Sequence, residues 1–192
     1  MPHRLAQTLG CVGLTLLLAT LGGCRGGSEI WKEEVQLSDG RIIVIERETV
    51  FEQGSEWAHN DRVGKPKRQR IRLEPANGSK KMIVWNTTKK SPDGLPEVPL
   101  IFDVEDGAPV VMSSVELTAG CEMYSKYVYW NGIWVEERLP DTFTRRSTNL
   151  LVRDGADLPQ LVGLREKQAG GARMGKRPAL RQVGPVLTVC DN

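Results

Sequence analysis

The stretch Trp31-Lys32-Glu33-Glu34-Val35-Gln36-Leu37-Ser38-Asp39-Gly40-Arg41-Ile42-Ile43-Val44-Ile45-Glu46-Arg47 decides the fold. From Trp31 to Leu37 the odd positions are mostly apolar and the even ones polar, the period of a half-buried strand. Ile42 to Ile45 is a β-branched run suited to a buried strand. Ser38-Asp39-Gly40 between them makes a hairpin. Two registers compete. A two-residue Asp39-Gly40 turn sets Glu33 against Glu46, whereas a three-residue turn with Gly40 left-handed sets Lys32 against Glu46. Opposite charges across strands are mildly favourable and like charges are not, which favours the longer turn.

Downstream the hairpins continue. Residues 52–67 are polar and broken by Gly54, Gly64 and Pro66, the composition of a loop. Residues 70–73 and 81–85 flank Pro75-Ala76-Asn77-Gly78 as a second hairpin, and residues 89–96, carrying Asp93-Gly94, read as a further turn. Residues 99–104 and 109–115 flank Glu105-Asp106-Gly107 as a third, with Pro99 and Pro109 suited to strand starts or edges. Asn131-Gly132 between Tyr127-Val128-Tyr129-Trp130 and Ile133-Trp134-Val135 is a strong two-residue hairpin signal that sets Tyr129 against Trp134 and Val128 against Val135. Residues 149–152 read as a last short strand and residues 158–168 as a short helix, stopped by Gly170 and Gly171. Residues 165–181 form a basic, Gly-containing tail. The expected fold is mainly β: an antiparallel meander of hairpins with about eight strands, as a sandwich or open barrel, and one short C-terminal helix. The β domain occupies residues 31–152, and the helix and tail residues 153–192.

Upstream, Arg4 precedes a nearly unbroken apolar run over residues 9–21 and then small residues. That is a secretory signal, and the run is short of the roughly 20 residues a spanning helix needs. Leu21-Gly22-Gly23-Cys24 resembles the lipobox of bacterial lipoproteins. The resemblance implies that residues 1–23 are removed, that Cys24 is lipidated on its thiol and new amine, and that residues 24–30 are anchor and tether. Several buried acyl chains hold far more firmly than one. Arg25, where inner-membrane lipoproteins often carry Asp, points to the outer membrane facing the periplasm. Residues 25–29 reach about 20 Å when extended.

The first hairpin also carries a wider likeness. Trp-Lys-Glu-Glu-Val-x-Leu-x-Asp-Gly-Arg-x-Ile-x-Val-x-Arg resembles a widespread uncharacterised group of small proteobacterial secreted or lipid-anchored proteins. Looser echoes follow at Val84-Trp85, Pro99 to Val104, Gly120-Cys121, Tyr127-Val128, Leu139-Pro140 and Asn149-Leu150. The likeness implies a cell-envelope protein and brings no catalytic residue or ligand.

Composition narrows the chemistry. With 26 basic and 24 acidic residues the chain is nearly neutral, which gives no electrostatic case for nucleic acid. Of four Cys, Cys11 leaves with the signal and Cys24 carries lipid, so Cys121 and Cys190 are a disulfide candidate in an oxidising compartment. Two cysteines so far apart have no metal-ligand spacing, so neither a metal nor another cofactor is expected. Removal of His3 leaves His59, which Asp61 or Glu56 could orient as a general base but which reads more simply as a loop residue. Lys65, Lys67, Arg68, Arg70 and Arg72 offer a basic stripe for an anionic lipid, and Tyr127, Tyr129 and Trp134 an aromatic platform for a sugar. These residues equally suit a solvated strand face and a filled sheet. The favoured reading is a lipid-anchored envelope protein that binds or supports a partner, an envelope protein or an anionic lipid, as a non-enzymatic module, with enzyme activity left open. An immunity or inhibitor lipoprotein is a sharper form of it. The competing reading is a hydrolase of cell-wall material using two of Glu33, Glu34, Asp103, Glu105, Glu136 and Glu137.

Overall fold

The structure, a computed structural model, describes residues 27–52, 64–74, 81–118, 121–137, 139, 146–151, 159–169 and 182–183. Strand β1 (Ser28–Gln36) and strand β2 (Ile42–Glu52) form the first hairpin. Lys32 faces Glu46, Leu37 N–H donates to Arg41 O at 2.8 Å, and Gly40 has φ 88°. This is the longer turn, with the left-handed residue supplied by glycine. β1 begins at Ser28, inside the stretch read as tether. Alternation puts Trp31, Glu33 and Val35 on the covered face with Ile45, Arg47, Thr49 and Phe51. Ile42 and Val44 point outward and are exposed, so the β-branched run is half-buried rather than buried. One face of this sheet meets solvent, so alternate β-branched side chains do too.

Strand β3 (Lys65–Leu73) pairs with β2, and strand β4 (Ile83–Asn86) with β3. β3 thus takes in residues 65–67, read from the sequence as loop. Phe51 faces Pro66 beside a register shift, an irregular point of the ladder where a residue with no N–H donor is tolerated. A Cβ on Gly64 would sit 1.8 Å from Glu52 O, so only glycine fits there. The other sheet is a meander of strands β5 (Val98–Glu105), β6 (Ala108–Thr118), β7 (Cys121–Trp130) and β8 (Ile133–Glu137). Its two-residue turns, Asp106-Gly107 and Asn131-Gly132, all have positive φ, and Tyr129 faces Trp134 as the aromatic pattern predicts.

The two sheets form a sandwich. Val35, Ile45, Ile71 and Trp85 meet Phe102, Val111 and Tyr127 in one core, with the Trp85 and Tyr127 rings edge-on at 5.6 Å. The sheets do not close into a barrel, but single side chains bridge both seams. Asn149 Nδ2 donates to Phe102 O (2.7 Å) on β5 and Gln36 O (3.0 Å) on β1, while Phe102 N–H donates to Asn149 Oδ1 (2.9 Å). Trp134 Nε1 on β8 donates to Val84 O on β4 at 2.8 Å. The connection from β4 back to β5 is held by the buried Glu97 carboxylate, which accepts from Thr88 N–H, Lys89 N–H, Ser113 Oγ and Tyr127 Oη.

The C-terminal elements differ from the sequence reading. Strand β9 is Arg146–Ser147, and of the strand expected over 149–152, residues 149–151 are instead a bonded segment, with Leu150 N–H donating to Leu100 O, while residue 152 lies outside the described residues. Of the helix expected over 158–168, residue 158 lies outside the described residues and Leu161–Val162 form strand β10, parallel to β1, with Lys32 N–H donating to Gln160 O. Helix α1 (Leu164–Ala169) starts only after Gly163, whose N–H donates to Glu166 Oε2. Pairing with β1 outcompetes the first helical turn. Strand β11 (Gln182–Val183) pairs with β9, giving sheet orders β10-β1-β2-β3-β4, β5-β6-β7-β8 and β11-β9.

These directions define two poles. Ser38 donates to Asp103 near the end of β5, so the turns at Ser38–Gly40, Asp106-Gly107 and Asn131-Gly132 share one pole. The start of β1 and the β6–β7 connection lie at the other, about 30 Å away along the strands.

Candidate functional site

The basic stripe is real in placement, and most of its charge is used within the sheet. Arg68, Arg70 and Arg72 alternate along the outward face of β3, opposite Glu46 and Glu48 on β2. Arg72 bonds Glu46 at 2.6 Å and Glu48 at 2.5 Å, and Arg70 bonds Glu48 at 3.0 Å and Asn86 Oδ1 at 2.8 Å. The Glu46 hydrogen bond, aided by the Glu48 charge and opposed by burial, holds the Arg72 guanidinium above its ordinary pKa. Arg68 lies opposite Val50, with its buried Nε unpartnered among the described residues.

The aromatic platform is not displayed outward. Tyr127 is in the core, and the Tyr129 and Trp134 rings meet at 5.2 Å between centres, tilted by 54°, half-buried, on the face turned toward the other sheet. These aromatics do not meet the arginines, which lie on the outer face of the five-stranded sheet. Nor do the six candidate carboxylates converge on an open site. Glu33 is buried, Glu34 accepts from Leu164 N–H, Asp103 accepts from Ser38, and Glu136 accepts from Lys89 Nζ. Glu105 (2.8 Å) and Glu137 (3.6 Å) meet only across Lys126. Burial works against the Lys126 ammonium, but Glu105 and then Glu137 raise its pKa above the ordinary value. Lys89 Nζ also donates to Ser125 Oγ at 2.7 Å.

Two arrangements escaped the sequence. The first is a buried ionic cluster. Glu33 Oε1 accepts from Arg47 Nη1 (2.7 Å) and Oε2 from Lys167 Nζ (2.6 Å) and Leu151 N–H (3.1 Å). Arg47 also donates to Gln69 Oε1 at 3.2 Å and lies over the Trp31 ring, 5.3 Å from its centre. All three charged side chains are almost wholly buried. Burial, partly offset by Glu33, pulls both the Arg47 guanidinium and the Lys167 ammonium below their ordinary pKa values.

The second is apolar and exposed. Trp130 and Ile133 face each other across the Asn131-Gly132 turn and are each 63% exposed, and Val135 continues the strip. Ile42, Val44 and Met82 are exposed at the same pole. The sequence held the signal: alternation from a core Tyr127 sends Trp130 to the opposite face. Cys24, His59 and Cys190 lie outside the described residues, and Cys121 opens β7.

Comparison with protein-family models, curated proteins and solved structures finds no match. The geometry of the chain itself therefore has to carry the function.

Proposed function

We propose that the chain is a lipid-anchored, non-enzymatic binding module of the bacterial cell envelope that grips a protein partner with the pole opposite its anchor. The exposed Trp130–Ile133 pair on a tight hairpin is the observation that carries this reading. Large aromatic and aliphatic side chains fixed on a rigid turn lose little entropy on binding and are typical energetic anchors of interfaces. An apolar strip of this kind at one pole is the mark of an interaction surface rather than of scattered exposure. The lipobox-like Cys24, the secretory run before it and the likeness of the first hairpin to envelope proteins support the address, an outer membrane facing the periplasm.

Position fits this role. Since β1 begins at Ser28, a chain anchored at Cys24 has about 14 Å of extended reach before the fold starts. The pole where β1 begins then sits against the bilayer, and Trp130 and Ile133 face away from it. An anionic lipid is the weaker partner, because Arg70 and Arg72 are engaged by Glu46 and Glu48 and the hairpin tip is neutral.

The test is crosslinking capture from envelopes by the mature domain carrying Cys24→Ser, compared with the same domain carrying Trp130→Ser and Ile133→Ser. Surface changes of this kind alter stability by roughly 0.5 kcal/mol or less each, so both proteins should melt alike. One specific protein captured by the first and lost by the second is the expected result. Identical capture by both, or no capture together with degradation of isolated cell wall, overturns the proposal.

A further inference from the structure

The buried ionic cluster has an asymmetry that suggests a use. Everything that holds the Glu33 carboxylate apart from Lys167 belongs to the body of the sandwich. Arg47 Nη1 fixes Oε1, Leu151 N–H reaches Oε2, and Arg47 is itself pinned by Gln69 and the Trp31 ring. The second acceptor for Lys167 Nζ is Asn149 O, at 2.7 Å. That carbonyl is fixed by the Asn149 side chain on β5 and β1, and by Leu150 N–H on Leu100 O. The ammonium arrives on a slight element. β10 pairs with β1 at Lys32 and Glu33, and further bonds run from Lys32 N–H to Gln160 O and from Leu164 N–H to Glu34 Oε2. The same segment brings Val162 onto Trp31 and Leu151.

We propose that Glu33, Asn149 O and the surrounding body form a preorganised socket for a primary ammonium, and that Lys167 is its tethered occupant, latching residues 159–169 over Trp31. A carboxylate oxygen and a carbonyl oxygen near 2.7 Å are charge-assisted acceptors suited to an N–H donor of an ammonium. The adjoining Arg47 satisfies the other carboxylate oxygen, so the socket keeps its shape when the lysine leaves. Withdrawal of Lys167 frees the segment, bares Trp31 and Leu151, and opens the socket to the ammonium of another molecule. This latch does not depend on the Trp130–Ile133 pole.

Chemical rescue tests it. Lys167→Ala removes the atoms of n-propylammonium, so that ion is the probe. Amide hydrogen exchange is read at Lys32 and Leu164, the latch bonds, and at Val111 and Tyr127 in the core. In Lys167→Ala the two latch amides should exchange at least tenfold faster with the core amides unchanged, and n-propylammonium should restore them saturably where equal sodium chloride does not. Lys167→Met, which fills the space without charge, should show the fast latch exchange and no rescue. If Lys167→Ala loosens latch and core alike, native-state exchange of the unaltered protein decides. Latch amides opening with the core, rather than well before it, overturn the proposal. Failure of rescue, or a Lys167→Met latch as slow as the original, also overturns it.

Discussion

Glu33 shows how much one side chain can be asked to do. It is a single carboxylate between two buried cations, Arg47 and Lys167. Taking charges out of water costs several kcal/mol per ion, which only close pairing offsets. Glu33→Gln keeps the shape and removes the anion, leaving both cations buried without their counter-charge. It should destabilise the fold by about 3–5 kcal/mol, read as the shift in a urea-unfolding curve. A loss below 1 kcal/mol would show that the cluster is not held by charge. Tyr127 gives a second residue-level expectation. Burial, with the Glu97 charge adding and the Thr88 hydrogen bond opposing, pushes its hydroxyl up to about 12. A raised acid keeps its proton longer in the folded state, so its stabilisation is complete below pH 10 and lost as pH rises toward 12. The loss is about 2–3 kcal/mol. Stability measured across that window should fall less steeply in Tyr127→Phe, and ultraviolet titration should lose its last phenolate step.

At the scale of elements, the hairpins were legible because their information is local. Asn131-Gly132, Asp106-Gly107 and Ser38-Asp39-Gly40 supply the positive φ angles their turns need, and a turn fixes the register of the strands it joins. The Lys32–Glu46 pairing followed from turn length and cross-strand charge alone. The C-terminal elements were less legible. Residues 161–162 became a strand because β1 had a free edge beside Glu33, and no local pattern announces a partner more than a hundred residues away. Asn149 is the clearest case: its amide imitates a peptide group and joins β5 to β1. Asn149→Asp turns the donor nitrogen into an acceptor facing two carbonyl oxygens, and should cost about 3 kcal/mol. Thermal melts of this variant beside Asn149→Ala check it: an Asp variant as stable as the parent would mean the seam is held by packing.

For the whole molecule, two sheets sharing one core set which surfaces are left over. Arg68, Arg70, Arg72, Tyr129 and Trp134 were candidates by type, but packing gives them different situations. Two of the arginines pair with β2 carboxylates, and the two aromatics turn inward at the β4–β8 seam. Trp130, one residue from Tyr129, is the ring left in solvent among the described residues. The sequence by itself determined the class of fold, the hairpins, and the registers of the first hairpin and the Asn131-Gly132 hairpin, because strand period and turn chemistry act over a few residues. It also carried the lipobox-like stretch, which is read as a linear motif. Only the tertiary structure decided which charges are buried together, which segment covers Trp31 and that Trp130 and Ile133 are left exposed at a hairpin tip. Those outcomes depend on contacts between residues far apart in the chain, and burial then multiplies the energy of each contact by removing the water that would have screened it.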